Sequence, residues 1–514
     1  MLRSIATVGG WTMASRILGF ARDMMIAAKL GAGPLADAFF VALKLPNLFR
    51  RLFGEGAFNA AFVPAFAATL SREGTVQAQR LAEHMAGLMG LWLGVLTVMG
   101  MLFMPQLLWV LAPGFTARPT QFAVAVELAR ILFPYLALIC LVALVSGVLN
   151  GLSRFAAAAA APVLFNLMAM VALLALTPFV ATPAHALSWG ILASGVLQLA
   201  LVWWAARAAG MVLDPFRRPR VGPGERAVLR RMVPGIFGAG VTQLNLAVDV
   251  IIASLLPAGA VSFLYYADRV AQLPLGVVGA AIGTALLPLL AAQIAGRQSL
   301  AAHRSQNRAL EFSLALTLPA AIALAVLAAP IVSVLFQRGA FDAAAAAETA
   351  QALRAYAAGL VAFVLVKALT PAFFARGDTT TPVLVGLGTV ALNLALNLAF
   401  LRLTDLGAAG IALATGIAAW ANVAALLVLL RRAGRFHADR RLRRAAPRLL
   451  AAAVAMGALL GLLLALPLPM GGLAGALRLA GLCAAGLLAY AGAALLLGAL
   501  DLGEMRRVLR RRRA

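Results

Sequence analysis

The sequence predicts an all-α polytopic membrane protein, with fourteen transmembrane helices arranged in two lobes around a central cationic cavity. Hydrophobic residues make up 63% of the 514 positions and charged residues only 12%. The mean hydropathy is +0.95, far above that of soluble domains. Apolar runs long enough to cross a bilayer recur along the chain, separated by glycine, proline and clusters of charge.

These apolar runs give the predicted spans in order. The first six lie near residues 6–30, 34–70, 80–112, 121–150, 158–178 and 184–208. The other eight lie near residues 226–256, 262–293, 308–336, 345–375, 382–402, 408–431, 447–467 and 472–498. The second span is unusually long, and we expect it to break around Pro46, because proline removes a helical hydrogen bond.

An arginine-rich connection between the sixth and seventh spans is the expected boundary between the lobes. Membrane transporters are commonly built from internal repeats that hold the substrate between them near the midplane. The predicted parts are a first lobe (1–208), a cytoplasmic linker (209–225), a second lobe (226–431), an arginine-rich cytoplasmic loop (432–446), two final spans (447–498) and a basic cytoplasmic tail (499–514).

The net charge of +25 is distributed unevenly between the two sides of the predicted membrane. Arginines crowd into alternate connections and into the C-terminal tail, whereas the opposite side holds only Arg118, Arg338 and Arg402. Cytoplasmic loops of membrane proteins carry the excess of positive charge. Both termini are therefore expected in the cytoplasm, and the charge needs no nucleic-acid partner to explain it.

The first two predicted spans carry the most charge. Nine ionisable side chains, six basic and three acidic, are Arg16, Arg22, Asp23, Lys29, Asp37, Lys44, Arg50, Arg51 and Glu55. An ionised side chain near the centre of a bilayer costs at least ~2.5–3.5 kcal/mol, so such groups face each other, water or a charged ligand. Because the bases outnumber the acids, we predict a cavity that holds an anion.

The spacing of these charges favours the wall of a cavity over a scattered distribution. Side chains seven residues apart lie on nearly one stripe of a helix, as Arg16 and Asp23 do. Arg22 and Lys29 share a second stripe. The alternative is that the charges pair internally and hold the two helices together, which the shortage of acids disfavours.

A second charged segment, SFLYYADRVAQLP, opens the eighth span and contains Asp268 and Arg269. Arg269 stands at the start of the second half of the chain much as Arg16 and Arg22 stand at the start of the first. A guanidinium group can bind a phosphate through two parallel hydrogen bonds. The alternative is a local ion pair between Asp268 and Arg269.

The sequence lacks the motifs of enzymes that act on phosphorylated lipids. It has no GxxxxGK[ST] phosphate loop, and its four histidines show no metal-ligand spacing. It also has no Ser/His/Asp arrangement and no acid-rich Mg²⁺ motif. We therefore expect a transporter rather than an enzyme, with neither metal nor cofactor.

Several segments resemble the MurJ (MviN) lipid II flippases of the multidrug/oligosaccharidyl-lipid/polysaccharide (MOP) exporter superfamily. The similarity is most specific in SRILGFARDMMIAAKLGAG (15–33), ADAFFVALKLPNLFRRLFGEGAFNAAFVP (36–64) and YYADRVAQLPLGVVGAAIGTALLP (265–288). It extends to FQRGAF (336–341) and FARGDTTTP (374–382), and is weak in the last two spans.

This resemblance implies a transporter of the bacterial inner membrane. Such proteins move the undecaprenyl-pyrophosphate-linked peptidoglycan precursor, lipid II, from the cytoplasmic to the periplasmic leaflet by alternating access. It assigns pyrophosphate binding to Arg16, Arg22 and Arg269, and gating or contacts with the sugar–peptide head to Asp37 and Arg50. The partners implied are lipid II and membrane lipids, and we expect a monomer.

The resemblance also implies secondary roles. Asp23, Glu55, Arg51 and Asp268 would tune the gates, and the last two spans (447–498) would form a groove for the lipid tail. A coupling cation, Na⁺ or H⁺, has a candidate site in Asp249, Asp378 and Asn393. The simpler alternative is coupling to the membrane potential, which supplies ~2.3 kcal/mol per charge per 100 mV.

Three other functions stay open on the residues alone. An exporter of another polyprenyl-linked glycan would need the same positive cavity. A drug/cation antiporter of the same superfamily would prefer an acidic cavity, and a membrane transferase would need metal-binding acids. The excess of bases and the missing acid motifs disfavour the last two.

Overall fold

A computed structural model of the chain describes residues 2–51, 54, 57–214, 219–466 and 472–499. By their contacts these residues form two compact units, one made of those within 1–262 and 338–341, and the other of those within 263–337 and 342–499. The predicted residue Glu55 lies outside the described residues.

The first unit contains ten α-helices within its described residues. They are α1 (Leu2–Leu30), α2 (Pro34–Arg50), α3 (Ala57–Glu73), α4 (Thr75–Leu102), α5 (Met104–Leu111), α6 (Pro119–Leu132), α7 (Tyr135–Gly151), α8 (Phe155–Ala175), α9 (Pro183–Ala208) and α10 (Pro223–Leu255). Pro34, Pro119, Pro183 and Pro223 each begin a helix, where the missing N–H costs nothing. Aromatic rings fill the interior of this unit, as where Phe58 and Phe62 stack with centroids 5.0 Å apart.

The second unit contains the other eight described helices, except that residues 260–262 at the start of α11 belong to the first unit. They are α11 (Ala260–Ala295), α12 (Ser299–Val326), α13 (Ala328–Phe336), α14 (Ala343–Phe374), α15 (Thr380–Leu403), α16 (Gly407–Arg432), α17 (Arg440–Leu464) and α18 (Gly472–Leu496). Small residues let α14 and α16 approach closely, since a Cβ added to Gly359 would lie 2.6 Å from the Cα of Gly416. The pair α17–α18 packs on α12, and the Tyr490 hydroxyl donates to the carbonyl of Ala315 at 2.7 Å.

Each of the fourteen predicted spans coincides with one helix or with two consecutive helices. Ten helical segments of the described residues are long and apolar enough to cross a membrane. The spans near 6–30, 34–70, 226–256 and 262–293 are not among these ten. The first of them carries the charges discussed above, and the second is divided into two helices of 17 residues each.

The expected break at Pro46 is wrong. Helix α2 continues through Pro46 to Arg50, and the next described α-helix, α3, begins at Ala57. One proline removes one hydrogen bond, which a transmembrane helix tolerates.

Helix α10 packs within the first unit. Its C-terminal end is held by Arg118, which donates to the carbonyl of Leu256 at 2.7 Å. The hydroxyl of Ser254 accepts from the N–H of Gly114 at 3.1 Å. The sequence predicts a boundary at residues 209–225 between two lobes that move during transport. This boundary stays a prediction.

Candidate functional site

Arg22, one of the predicted intramembrane arginines, is buried and held by polar side chains. It lies on α1 with only 8% of its surface exposed. Its Nη2 is 2.6 Å from Asp23 Oδ1 and its Nε is 3.1 Å from the same oxygen. Its Nη1 donates to Asn166 Oδ1 on α8 at 3.0 Å. Three N–H groups of this guanidinium are therefore directed at two neighbouring side chains.

Helix α8 completes the surroundings of Arg22. The ring of Phe165 lies beneath the guanidinium, with the Cζ atom 5.1 Å from the ring centroid, a distance at which a cation is attracted to the ring face. The amide nitrogen of Asn166 donates to the carbonyl of Ser15 at 2.9 Å. One side chain of α8 thus binds α1 at two places, and it fixes the turn that begins beside Arg16.

The other bases of the opening stretch are more accessible than Arg22. Arg16 and Arg51 are exposed, and Lys44 and Arg50 are half-buried. Arg16 and Arg22 are six residues apart on α1, a rise of about 9 Å along the axis. Within the first unit, one guanidinium is therefore enclosed by polar partners and another is accessible.

Asp37 is bound to backbone N–H groups at the start of α11. Its carboxylate accepts from the N–H of Gly259 at 2.6 Å, the N–H of Ser262 at 2.8 Å and the hydroxyl of Ser262 at 2.5 Å. The first N–H groups of a helix have no partner within the helix, and they favour a negative charge. Asp37 therefore acts here as an N-cap supplied by another helix, and its predicted contact with substrate stays a prediction.

The segment 338–341 is bound to the end of α1. The N–H of Ala340 donates to the carbonyl of Ala28 at 2.9 Å. Gly31 and Gly339 have φ angles of +67° and +60°, a backbone conformation that residues with a side chain rarely adopt. A Cβ on Gly31 would also collide with the carbonyl oxygen of Ala340, and one on Gly339 with that of Ala28. Gly31 and Gly339 thus allow the backbone at the end of α1 and the backbone of residues 338–341 to approach closely.

Arg269 lies on α11 in the second unit and is half-buried. Its Nη2 donates to the Tyr265 hydroxyl at 3.1 Å, and its Cζ lies 4.8 Å from the centroid of the same ring. The neighbouring Asp268 accepts from Gln272. Tyr265 therefore orients the guanidinium of Arg269 one turn along the helix.

Two of the candidate cation ligands, Asp378 and Asn393, do not form one site. Asp378 caps the start of α15 by accepting from the N–H and the hydroxyl of Thr381, at 3.0 and 2.8 Å, and these bonds keep the pKa of its carboxyl below the usual value. Asn393 is buried thirteen residues beyond Thr380, the first residue of this helix, about 20 Å along its axis. Asp378 and Asn393 therefore cannot bind the same ion, and this part of the prediction is wrong. Asp249 is buried in the first unit.

Sequence reasoning missed Asn166 and Ser262, although one of them left a signal. Asn166 is the only polar side chain between Phe155 and Ala175, and a polar group inside a transmembrane helix needs a partner. Its partner, Arg22, lies 144 positions away in the sequence. The sequence could therefore predict that Asn166 has a partner, but not which residue it is. Ser262 had no such signal, because serine is common near the ends of helices.

Comparison with known proteins gives one consistent family. The family model described as "Lipid II flippase MurJ" matches residues 26–474. The chain is 44% identical over 521 residues to the "Probable lipid II flippase MurJ" of Rhizobium meliloti (strain 1021), covering 99% of this chain and 96% of that protein. It is 37% identical over 438 residues to the "Lipid II flippase MurJ" of Burkholderia cenocepacia, covering 84% of each.

Solved structures agree on the fold. The structure described as "Lipid II flippase MurJ, inward closed conformation" is similar with a TM-score of 0.78 and 22% identity, covering 95% of this chain and 98% of that one. An inward-facing multidrug transporter of the MATE family, in the MOP superfamily, is similar with a TM-score of 0.67 and 16% identity, covering 84% of this chain and 98% of that one. Both show an all-helical membrane fold, as the sequence predicts.

Proposed function

Because the chain belongs to the MurJ family of lipid II flippases, we propose that it moves lipid II from the cytoplasmic to the periplasmic leaflet of the bacterial inner membrane. The observation that carries this is the match to relatives of that family over nearly the full length of both chains. The family consists of transporters, which confirms the prediction of a transporter rather than an enzyme.

Arg16, Arg22 and Arg269 bind the pyrophosphate in this proposal. Arg16 supports it by its exposure, and Arg269 by a guanidinium that Tyr265 orients. Arg22 directs three of its five N–H groups at protein partners, and the remaining two are suited to a phosphate oxygen. Arg22 therefore contributes a positive charge at a fixed place rather than a freely moving side chain.

The acidic and remaining basic residues control access in this proposal. Asp37 joins α2 to the start of α11 and releases it when the conformation changes, and Arg50 contacts the sugar–peptide head. Asp23 holds Arg22 in position. The other gating roles belong to Arg51, Asp268 and Glu55.

The lipid tail lies along the last two helices. Helix α18 supports this with a strongly exposed apolar surface, because Leu473, Leu477, Leu487 and Leu488 are each at least 65% exposed. An apolar surface of this kind faces hydrocarbon in a membrane. In this proposal the protein is a monomer. Both of its termini lie in the cytoplasm, as the distribution of loop arginines favours. The membrane potential or a cation drives the transport cycle.

The experiment is rescue of a bacterium depleted of its own flippase, with the leaflet in which lipid II is accessible as the readout. The chain should restore exposure of lipid II on the periplasmic side. Arg16→Ala, Arg22→Ala and Arg269→Ala should each fail while reaching the membrane in normal amount. Arg130→Ala and Lys367→Ala serve as controls that remove an intramembrane charge elsewhere, and they should rescue. Full rescue by all three test variants would dismiss the role of these arginines.

A further inference from the structure

The first two turns of α17 present three arginines on the face that is turned away from the protein. Arg440, Arg443 and Arg444 are exposed and stand at positions i, i+3 and i+4, where side chains of a helix are neighbours. The opposite face of these turns buries Leu442, and on the same side further along the helix Leu449 packs in the hydrophobic core of the second unit. The three guanidinium groups are thus held together on one side of a firmly packed helix.

The side chains of these three arginines form no ion pair or hydrogen bond within the part of the chain that the structure describes. Nearby bases are already engaged. Arg441 pairs with Glu311 at 3.1 Å, and Arg448 donates to the carbonyl of Gly498 at 3.1 Å. Three adjacent cations without a protein counter-ion leave a local positive charge, and an external anion would neutralise it.

The same stripe of α17 becomes apolar one turn further on. Pro447, Ala451, Val454 and Leu462 follow the arginines on this face. Val454 is 54% exposed and Leu462 is 71% exposed. A cationic beginning and an apolar continuation therefore share one side of a continuous helix.

The length of α17 places the arginines at the surface of the membrane. Its 25 residues span about 37 Å at 1.5 Å per residue, whereas the hydrocarbon layer is about 30 Å thick. About 7 Å of helix, or roughly five residues, extends beyond the hydrocarbon. If the apolar C-terminal end occupies the hydrocarbon, the turn from Arg440 to Arg444 lies in the headgroup layer.

We propose that this stripe binds an anionic phospholipid. The phosphate lies between Arg440, Arg443 and Arg444, and an acyl chain follows the apolar surface at Val454 and Leu462. Arginine suits this ligand because its planar fork of N–H groups matches the oxygens of a phosphate. A soluble phosphate compound would use only the first half of the stripe. The site does not depend on which substrate the protein transports.

Binding of phosphatidylglycerol to the purified full-length protein in detergent tests the proposal, with phosphatidylcholine as the uncharged comparison and glycerol phosphate as the soluble one. A basic side chain near an anionic lipid is worth about 1 kcal/mol, which is about fivefold in affinity. Arg443→Gln should therefore weaken binding of phosphatidylglycerol about fivefold, and the triple Gln variant at 440, 443 and 444 on the order of a hundredfold. Val454→Asn should also weaken it, because the acyl chain loses an apolar contact.

A triple Gln variant of Arg226, Arg230 and Arg231 is the matched control. These arginines are also exposed and stand in the first turns of α10, so the control removes equal charge from another helix. It should change the affinity less than twofold. Three results would overturn the proposal: equal losses in the two triple variants, equal binding of the two phospholipids, or binding of glycerol phosphate as tight as that of the lipid. The single variant Arg443→Gln keeps the test open if a triple variant does not fold.

Discussion

Replacement of Asn166 by alanine tests the arrangement around Arg22. The substitution removes the acceptor 3.0 Å from Arg22 Nη1 and the donor 2.9 Å from the Ser15 carbonyl. A hydrogen bond to a charged group contributes about 1.5–3 kcal/mol, and Arg22 is buried. We therefore expect Asn166→Ala to lower the free energy of unfolding by about 2–3 kcal/mol.

A double-mutant cycle separates this contact from other effects of the substitution. In an Arg22→Gln background, Asn166→Ala should cost about 1 kcal/mol less, since residues in contact show coupling energies of 0.5–3 kcal/mol. The assay is reversible unfolding of the purified protein in mixed micelles, together with rescue of flippase-depleted cells. Rescue should fall as well, because Arg22 loses one of the groups that position it.

The matched control is Asn150→Ala, which removes an exposed asparagine at the end of α7. It should change the free energy of unfolding by less than ~0.5 kcal/mol. Two results would refute the reasoning about Arg22: additive costs in the double-mutant cycle, or full stability and full rescue by Asn166→Ala.

Three further predictions concern other polar contacts and close approaches in the first unit. Asp37→Ala should lower the free energy of unfolding by about 2–4 kcal/mol, because three hydrogen-bond donors at the start of α11 lose a charged acceptor. An unchanged thermal unfolding temperature would contradict the role of Asp37 as an N-cap. Gly31→Ala should abolish rescue, because its φ of +67° and the adjacent carbonyl exclude a side chain. By contrast, Gly33→Ala should rescue, because the space around Gly33 is open. Rescue by Gly31→Ala together with failure of Gly33→Ala would be inconsistent with the structure. Glu83→Ala should hasten tryptic cleavage of the linker, because the buried Glu83 carboxylate accepts a hydrogen bond from the N–H of Asp214 in the linker at 3.3 Å. Cleavage at the wild-type rate would show that this bond does not hold the linker. The control is Glu73→Ala, which removes an exposed carboxylate.

The helices and their order could be predicted from the sequence because hydropathy is a local property. A run of apolar residues between charged connections must become a buried or lipid-facing helix wherever it lies in the fold. The break predicted at Pro46 is wrong, because a transmembrane helix tolerates one missing hydrogen bond and α2 continues to Arg50.

The partners of the charged residues could not be predicted, because they are distant in sequence. Asp37 is 225 positions from Ser262, and nothing in the local pattern of α2 indicates a helix start as its partner. The sequence predicted that the acids would pair with bases or face a ligand. Backbone N–H groups are a third kind of partner, and a sequence does not display them.

The attachment of residues 338–341 to the end of α1 bears on how the protein is made. The first unit includes these four residues although the chain between 263 and 337 belongs to the second unit. A ribosome must therefore complete residue 341, and the membrane must accept the intervening helices, before the contact between Ala340 and Ala28 can form. The first unit consequently reaches its final packing late in biogenesis, and a chain truncated after 262 would leave the end of α1 without this cover.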